Sequence, residues 1–208
     1  IPCELINNNG NALKSLIINY DELWQLEKEF IYWINDHNSF HNTLVDRIVP
    51  GYPGDAIESY QSQLEYKDDL IVSAEVFLLW VIEGGKDLLQ KIPFDKIDEN
   101  VLIVKDMQPY RTRKVRILNG AHTVMVPFSI MYGNEPVKET VYNTFTGNFG
   151  KNDVYEEINT TLDLSEKELN SFASDGFDRF RNHFIKHHLS SIALNLSLLQ
   201  ILRYPRYS

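Results

Sequence analysis

Between positions 114 and 123 the chain reads Lys-Val-Arg-Ile-Leu-Asn-Gly-Ala-His-Thr, which brings Lys114, Asn119 and His122 into one short stretch. These three side chains could together oxidise a secondary alcohol without a metal. An amine takes the hydroxyl proton, a carboxamide steadies the developing oxyanion, and an imidazole positions the substrate while hydride leaves for a nicotinamide. To act as a base, Lys114 needs a pKa lowered from about 10.4 toward 7 to 8, which burial and neighbouring cations both promote. Arg111, Arg113 and Arg116 supply the cations. The same residue types also fit a second reading, in which the lysine and arginines form a solvated helix face and Asn119 and His122 are satisfied interior polar groups.

The stretch from Arg111 to about Tyr132 has helical periodicity, and α-helical geometry sets the first expectation for how the three side chains are arranged. At 100 degrees per residue, Asn119 lies about 140 degrees around the helix from Lys114, His122 about 80 degrees, and Arg111 about 60 degrees. Asn119 and His122 are neighbours at i, i+3. Gly120 costs about 1 kcal/mol in a helix interior relative to alanine, so its presence predicts a close neighbour.

Other elements must hold this stretch in place. Apolar residues from Leu13 to Ile34 recur at helical spacing, and a second helical stretch is predicted from about Ile71 to Ile82, stopped by Gly84 and Gly85. Val101 to Val104 is a short β-branched run and predicts a strand. Helices are predicted again over Val137 to Phe145, Val154 to Leu162, and Glu166 to about Leu202, the last divisible into two. The coarse reading is one mainly helical domain. No Gly-x-Gly-x-x-Gly fingerprint and no P-loop occurs, and the glycine pairs 51/54 and 84/85 read as structural turns.

With 208 residues, 43% of them hydrophobic, the chain has enough apolar material for a substantial core. Its net charge of -9 argues against a nucleic-acid or anionic-membrane surface, either of which needs a basic patch. The strongest apolar run, Val76 to Ile82, is far shorter than the roughly 18 residues of a membrane span. Cys3, the only cysteine, excludes an internal disulfide and fits a reducing cytoplasm. His183, His187 and His188 lack the carboxylate and spacing of a metal site, so no metal is expected. The opening Ile-Pro-Cys-Glu-Leu, without an initiator methionine, reads as a piece of a longer polypeptide.

Several segments, taken together, resemble the mannitol dehydrogenase family, the polyol-specific long-chain dehydrogenases. They are Lys-x4-Asn-x2-His within 114 to 123, FHNTLVDRIVPGYP from Phe40 to Pro53, CELINNNG from Cys3 to Gly10, and DRFRNHFIKHHLSSIALN from Asp178 to Asn195. The resemblance covers nearly the whole chain. It implies a multi-helical C-terminal domain of the 6-phosphogluconate dehydrogenase C-terminal-like type over residues 1 to 208, with at most a short β element near 101 to 104. The Rossmann domain that binds NAD is then expected elsewhere in the same polypeptide. Within the family, the string from Pro109 to His122 is similar to members acting on sugar acids, which implies interconversion of D-altronate and D-tagaturonate in hexuronate breakdown. A mannitol or other polyol 2-dehydrogenase domain, and a non-catalytic helical fragment, are the alternatives.

The resemblance also implies roles. Lys114 is the general acid/base, Asn119 an oxyanion-stabilising amide and His122 a substrate-orienting group. Asp46 matches a family aspartate bordering the active site; it equally suits a salt bridge or cap with Arg47. A second oxyanion amide is expected from the first loop. There the chain has Glu4-Leu5 in place of the usual Asp-Asn, which leaves Asn7 or, preferably, Asn9 beside Gly10. A sugar-acid carboxylate calls for a guanidinium, with Arg111 as first candidate and Arg113, Arg116 and Arg181 behind it. His183 stands where the family usually has proline, and the tail from Leu196 to Ser208 departs from the family pattern.

Overall fold

The computed structural model describes residues 6 to 185 and 187 to 194. The helices are α1 (Asn9–Trp24), α2 (Lys28–His37), α3 (Ile57–Gln61), α4 (Lys86–Lys91), α5 (Gln108–Arg113), α6 (Gly120–Tyr132), α7 (Val137–Tyr142), α8 (Thr144–Asn152), α9 (Glu166–Phe180) and α10 (Leu189–Ala193). Strands β1 (Thr43–Asp46), β2 (Leu79–Glu83) and β3 (Val101–Val104) join them, and two π-helical turns, Lys114–Asn119 and Asp153–Ile158, follow α5 and α8. The mainly helical expectation holds. No described helix is long and apolar enough to cross a membrane.

Two expectations are corrected. The sheet has three strands rather than a single short β element near 101 to 104, and the stretch from Ile71 to Ile82 is not a helix but irregular chain running into β2. A continuous apolar run such as Val76 to Ile82 has no periodicity that separates a buried strand from a buried helix, and pairing on both edges of β2 decides the matter. The chain also divides into two compact units, residues 1–47 with 76–111 and residues 48–75 with 112–208.

The first unit contains the sheet, in the order β1-β2-β3. β1 pairs antiparallel with β2, Leu44 opposite Val81, and β2 pairs parallel with β3, Trp80 opposite Val101. Leu44, Leu79, Val81 and Met107 form its apolar core. Side chains alternate across a strand, so Asp46 emerges on the same face of β1 as Leu44 and is likewise buried, whereas Val45 between them is exposed.

The second unit is helical and packs around α6. Ile117, Leu118, Ala121, Met125 and Val126 meet Val137 and Val141 of α7, Val154 of the second π turn, Leu169, Ala173, Phe177 and Phe180 of α9, and Leu189 of α10. Residues 48 to 75 belong to this unit. Their ends are zipped together by the Gly51 and Ser73 bridge and by the Glu75 amide donating to the Ile48 carbonyl at 3.0 Å.

Candidate active site

The stretch that carries Lys114, Asn119 and His122 is not the uniform α-helix its periodicity predicts. Lys114–Asn119 forms a π turn, in which the Gly120 amide donates to the Val115 carbonyl five residues back. In an α-helix residues five apart diverge by about 140 degrees, and the wider i→i+5 turn narrows that angle. The Lys-x4-Asn spacing is therefore one that a π turn brings closer to a common direction. The earlier 140 degrees between Lys114 and Asn119 is corrected accordingly, and α6 then carries His122 one turn on from Asn119.

Packing explains why the turn forms here. Lys114–Asn119 lies against the second π turn, and a Cβ added to Gly120 would stand 3.1 Å from Ile158 Cδ1. The glycine gives the close approach that its mid-helix position predicts. The Asn119 carbonyl accepts a hydrogen bond from the Thr123 hydroxyl at 3.0 Å, and Lys114 and Asn119 are both half-buried.

His122 faces an aromatic and a second histidine. Its ring centroid is 4.5 Å from that of Phe180 and 5.4 Å from that of His187, the two imidazoles standing at 85 degrees to one another. The residue as a whole keeps some exposure, but its Nε2 is sealed from solvent with no hydrogen-bond partner among the described residues. Burial, with the charges of His187, Arg179 and Lys114 adding to it, lowers the His122 pKa to about 3, so the ring is neutral at physiological pH. His187 is also held below its usual value, mainly by burial. Its backbone is pinned, since its carbonyl accepts from the Val137 amide at 2.9 Å and the Leu189 amide donates to Glu135 at 2.9 Å.

A buried cation that the sequence reading overlooked also belongs here. Arg179, on α9 next to Phe180, pairs with Glu75 through two bonds, Nη2 to Oε1 at 2.6 Å and Nε to Oε2 at 3.1 Å. Their side chains are only 9% and 3% exposed. Arg181, named as a carboxylate reader, instead pairs with Asp178 at the end of α9. Arg113 stacks on Phe172 at 4.7 Å, and Arg116 donates to the Thr161 hydroxyl at 3.2 Å.

The first unit holds Asn9, Asp46 and Arg111. Asn9 opens α1 and is buried. Its Oδ1 accepts from the Thr43 amide at 2.8 Å and the Gly10 amide at 2.9 Å, while Nδ2 donates to the Thr43 hydroxyl at 2.9 Å. Asn42 extends this frame by accepting from the Asn11 amide and donating to Glu83. A Cβ at Gly10 would fall 2.4 Å from the His41 carbonyl oxygen, so only glycine lets α1 sit so close to β1. Arg111 is half-buried, with its amide bonded to the Met107 carbonyl. Cys3, Glu4 and Leu5, Lys186, and the tail from Asn195 lie outside the described residues.

The Gly84 amide between β2 and α4 is already given to the Val104 carbonyl, and α4 has six residues. A dinucleotide site needs free glycine-turn amides leading into a full helix.

The chain belongs to the mannitol dehydrogenase family. Residues 1–96 match the model of the mannitol dehydrogenase Rossmann domain, and residues 106–200 that of the mannitol dehydrogenase C-terminal domain. The chain is 48% identical over 195 residues to the altronate oxidoreductase of Yersinia enterocolitica and 47% identical to that of Bacillus subtilis. In each case 94% of this chain aligns with 40% of the relative, so the chain spans about 40% of their length. Among solved structures, a D-sorbitol dehydrogenase in substrate-free form is similar with a TM-score of 0.73 and 25% identity, over 90% of this chain and 38% of that one. A Pseudomonas fluorescens mannitol 2-dehydrogenase, in a ternary complex with NAD and D-mannitol, shares the fold with a TM-score of 0.66, 24% identity, and coverage of 89% and 37%.

Proposed function

We propose that this chain is the substrate-binding and catalytic part of an NAD-dependent altronate oxidoreductase, interconverting D-altronate and D-tagaturonate. The observation that carries the reading is the π turn Lys114–Asn119, which runs directly into the helix bearing the neutral imidazole of His122. The relatives at 47 to 49% identity, all altronate oxidoreductases, supply the substrate class. We place the helical unit in the 6-phosphogluconate dehydrogenase C-terminal-like type. The dinucleotide-binding fold proper is assigned to a part of the polypeptide beyond these residues.

In the oxidising direction, neutral Lys114 accepts the hydroxyl proton as the C–H bond releases hydride and the C–O bond becomes a carbonyl. In the reducing direction, the Lys114 ammonium returns that proton to the oxygen. The Asn119 amide donates to this oxygen while it carries charge, and Asn9 is the candidate second donor. His122 is neutral, so it both donates and accepts hydrogen bonds and orients a substrate hydroxyl without adding a competing positive charge. Asp46 borders the site, and Arg111 reads the carboxylate that distinguishes a sugar acid from a polyol.

The test is turnover by the full-length enzyme on D-tagaturonate with NADH, compared with fructose. Preference for the sugar acid by a factor of about 100 or more is expected, as one charge-assisted bidentate contact supplies. Equal rates on the two, or preference for fructose, point to a polyol 2-dehydrogenase. No turnover on either points to a non-catalytic fragment.

A further inference from the structure

Glu75 was not among the residues that its sequence context singles out, yet its buried carboxylate accepts three hydrogen bonds. Besides the two bonds from Arg179, its Oε1 accepts the Ile48 amide at 2.6 Å. The Glu75 amide in turn binds the Ile48 carbonyl, so the residue is fixed through both backbone and side chain. Arg179 and Phe180 are consecutive on α9, and the Phe180 ring meets the His122 ring at 4.5 Å between centroids, tilted by 37 degrees. The closing residue of the 48 to 75 excursion thus clamps the helix end on which His122 rests.

We propose that Glu75 is a positioning residue, whose carboxylate fixes Arg179 and, through the adjoining Phe180, the ring on which His122 rests, and so keeps the His122 and His187 imidazoles in a single orientation toward substrate. The proposal rests on the reading of His122 as the substrate-orienting group. A guanidinium without this carboxylate would be a buried, uncompensated charge that must either move or drag α9 toward water. Either movement alters what His122 faces. The charged and titratable groups acting on His122 are His187, Arg179 on α9 and Lys114 on the π turn, and those acting on His187 are Glu75 and His188.

The experiment is a titration of the ¹⁵N-histidine-labelled chain by long-range ¹H–¹⁵N NMR, from about pH 4 to about pH 9. It compares wild type, Glu75→Gln and the double variant Glu75→Gln/Arg179→Gln. In Glu75→Gln the His187 midpoint falls by roughly half a unit or more, the scale of one close charge, and the His122 cross-peaks move. In the double variant the cation is gone as well, so the His122 midpoint lies above its wild-type value, read as a larger imidazolium fraction at about pH 4 than in wild type. Superimposable histidine titrations in wild type and Glu75→Gln overturn the proposal and leave the pair as a structural strut. If Glu75→Gln does not fold, the double variant, which buries no lone charge, carries the test alone, and an unchanged His122 there overturns it. The readout is imidazole charge and environment rather than turnover, so it stands or falls apart from the assigned reaction.

Discussion

The Gly120 amide is bonded to the carbonyl of Val115, five residues back, and this bond marks the widened turn that runs from Lys114 to Asn119. A widened turn is less favourable than a regular helix and persists only where its surroundings hold it. The surroundings here are Ile158 against Gly120 and the second π turn behind it. The local geometry of the Lys114–Asn119 turn is therefore set by packing between two irregular helical turns.

Gly120→Leu should disturb that packing, because a side chain there runs into Ile158 from its first carbon. Overpacking of this kind costs about 1 to 3 kcal/mol, and the midpoint of urea unfolding should drop accordingly. Turnover of the full-length enzyme should fall further than the population of folded protein. A loss of stability with specific activity intact would mean that the turn has no role in alignment.

Acid should destabilise the chain through His122. Its folded-state pKa of about 3 lies below the unfolded value near 6.5, so the unfolded chain binds the extra proton between these values. Stability is full above about pH 6.5 and declines as pH falls toward 3, with a slope of at most about 1.4 kcal/mol per unit from this residue. His187, lowered by burial, acts with the same sign. Denaturant unfolding from pH 7 to 4 should show the decline, and His122→Phe should flatten it. An equally steep decline in that variant would place the acid sensitivity elsewhere.

Asn9 and Gly10 should matter for stability even before any part in catalysis. Asn9→Ala removes the partners of the Thr43 amide and hydroxyl, and a buried unsatisfied group costs about 1 to 3 kcal/mol. Gly10→Ala forces a Cβ onto the His41 carbonyl and should cost about as much or more. Thermal unfolding followed by circular dichroism checks both. If Asn9→Ala melts like wild type, the frame between α1 and β1 contributes little.

Arg111 is expected to discriminate between substrates. Arg111→Ala should reduce kcat/KM on D-altronate by about 10- to 100-fold, the range of a charge-assisted hydrogen bond, and leave a neutral polyol nearly unaffected. Equal losses on both would show that Arg111 does not read the carboxylate.

The parts of this site that the sequence disclosed were those written in residue types at fixed spacing. Lys114, Asn119 and His122 could be picked out, as could the close contact required at Gly120. The widened turn could not be read, because a π turn and an α-helix have the same apolar pattern over six residues and tertiary contacts choose between them. The strand β2 was hidden for a related reason, since residues buried from both sides lose the alternation that identifies a strand. Arg179 escaped notice in favour of Arg181 because its burial depends on Glu75, 104 positions away, and no local pattern encodes such a partner.

We propose that Lys114 transfers the proton, and chemical rescue of an enzyme lacking its amine distinguishes this role from a structural one. Full-length enzyme carrying Lys114→Ala should oxidise D-altronate about 100- to 10,000-fold more slowly than wild type, with its fold unchanged by circular dichroism. Small primary amines added to that variant should restore rate in proportion to their free-base concentration. A Lys114→Ala enzyme that keeps wild-type turnover would contradict the account.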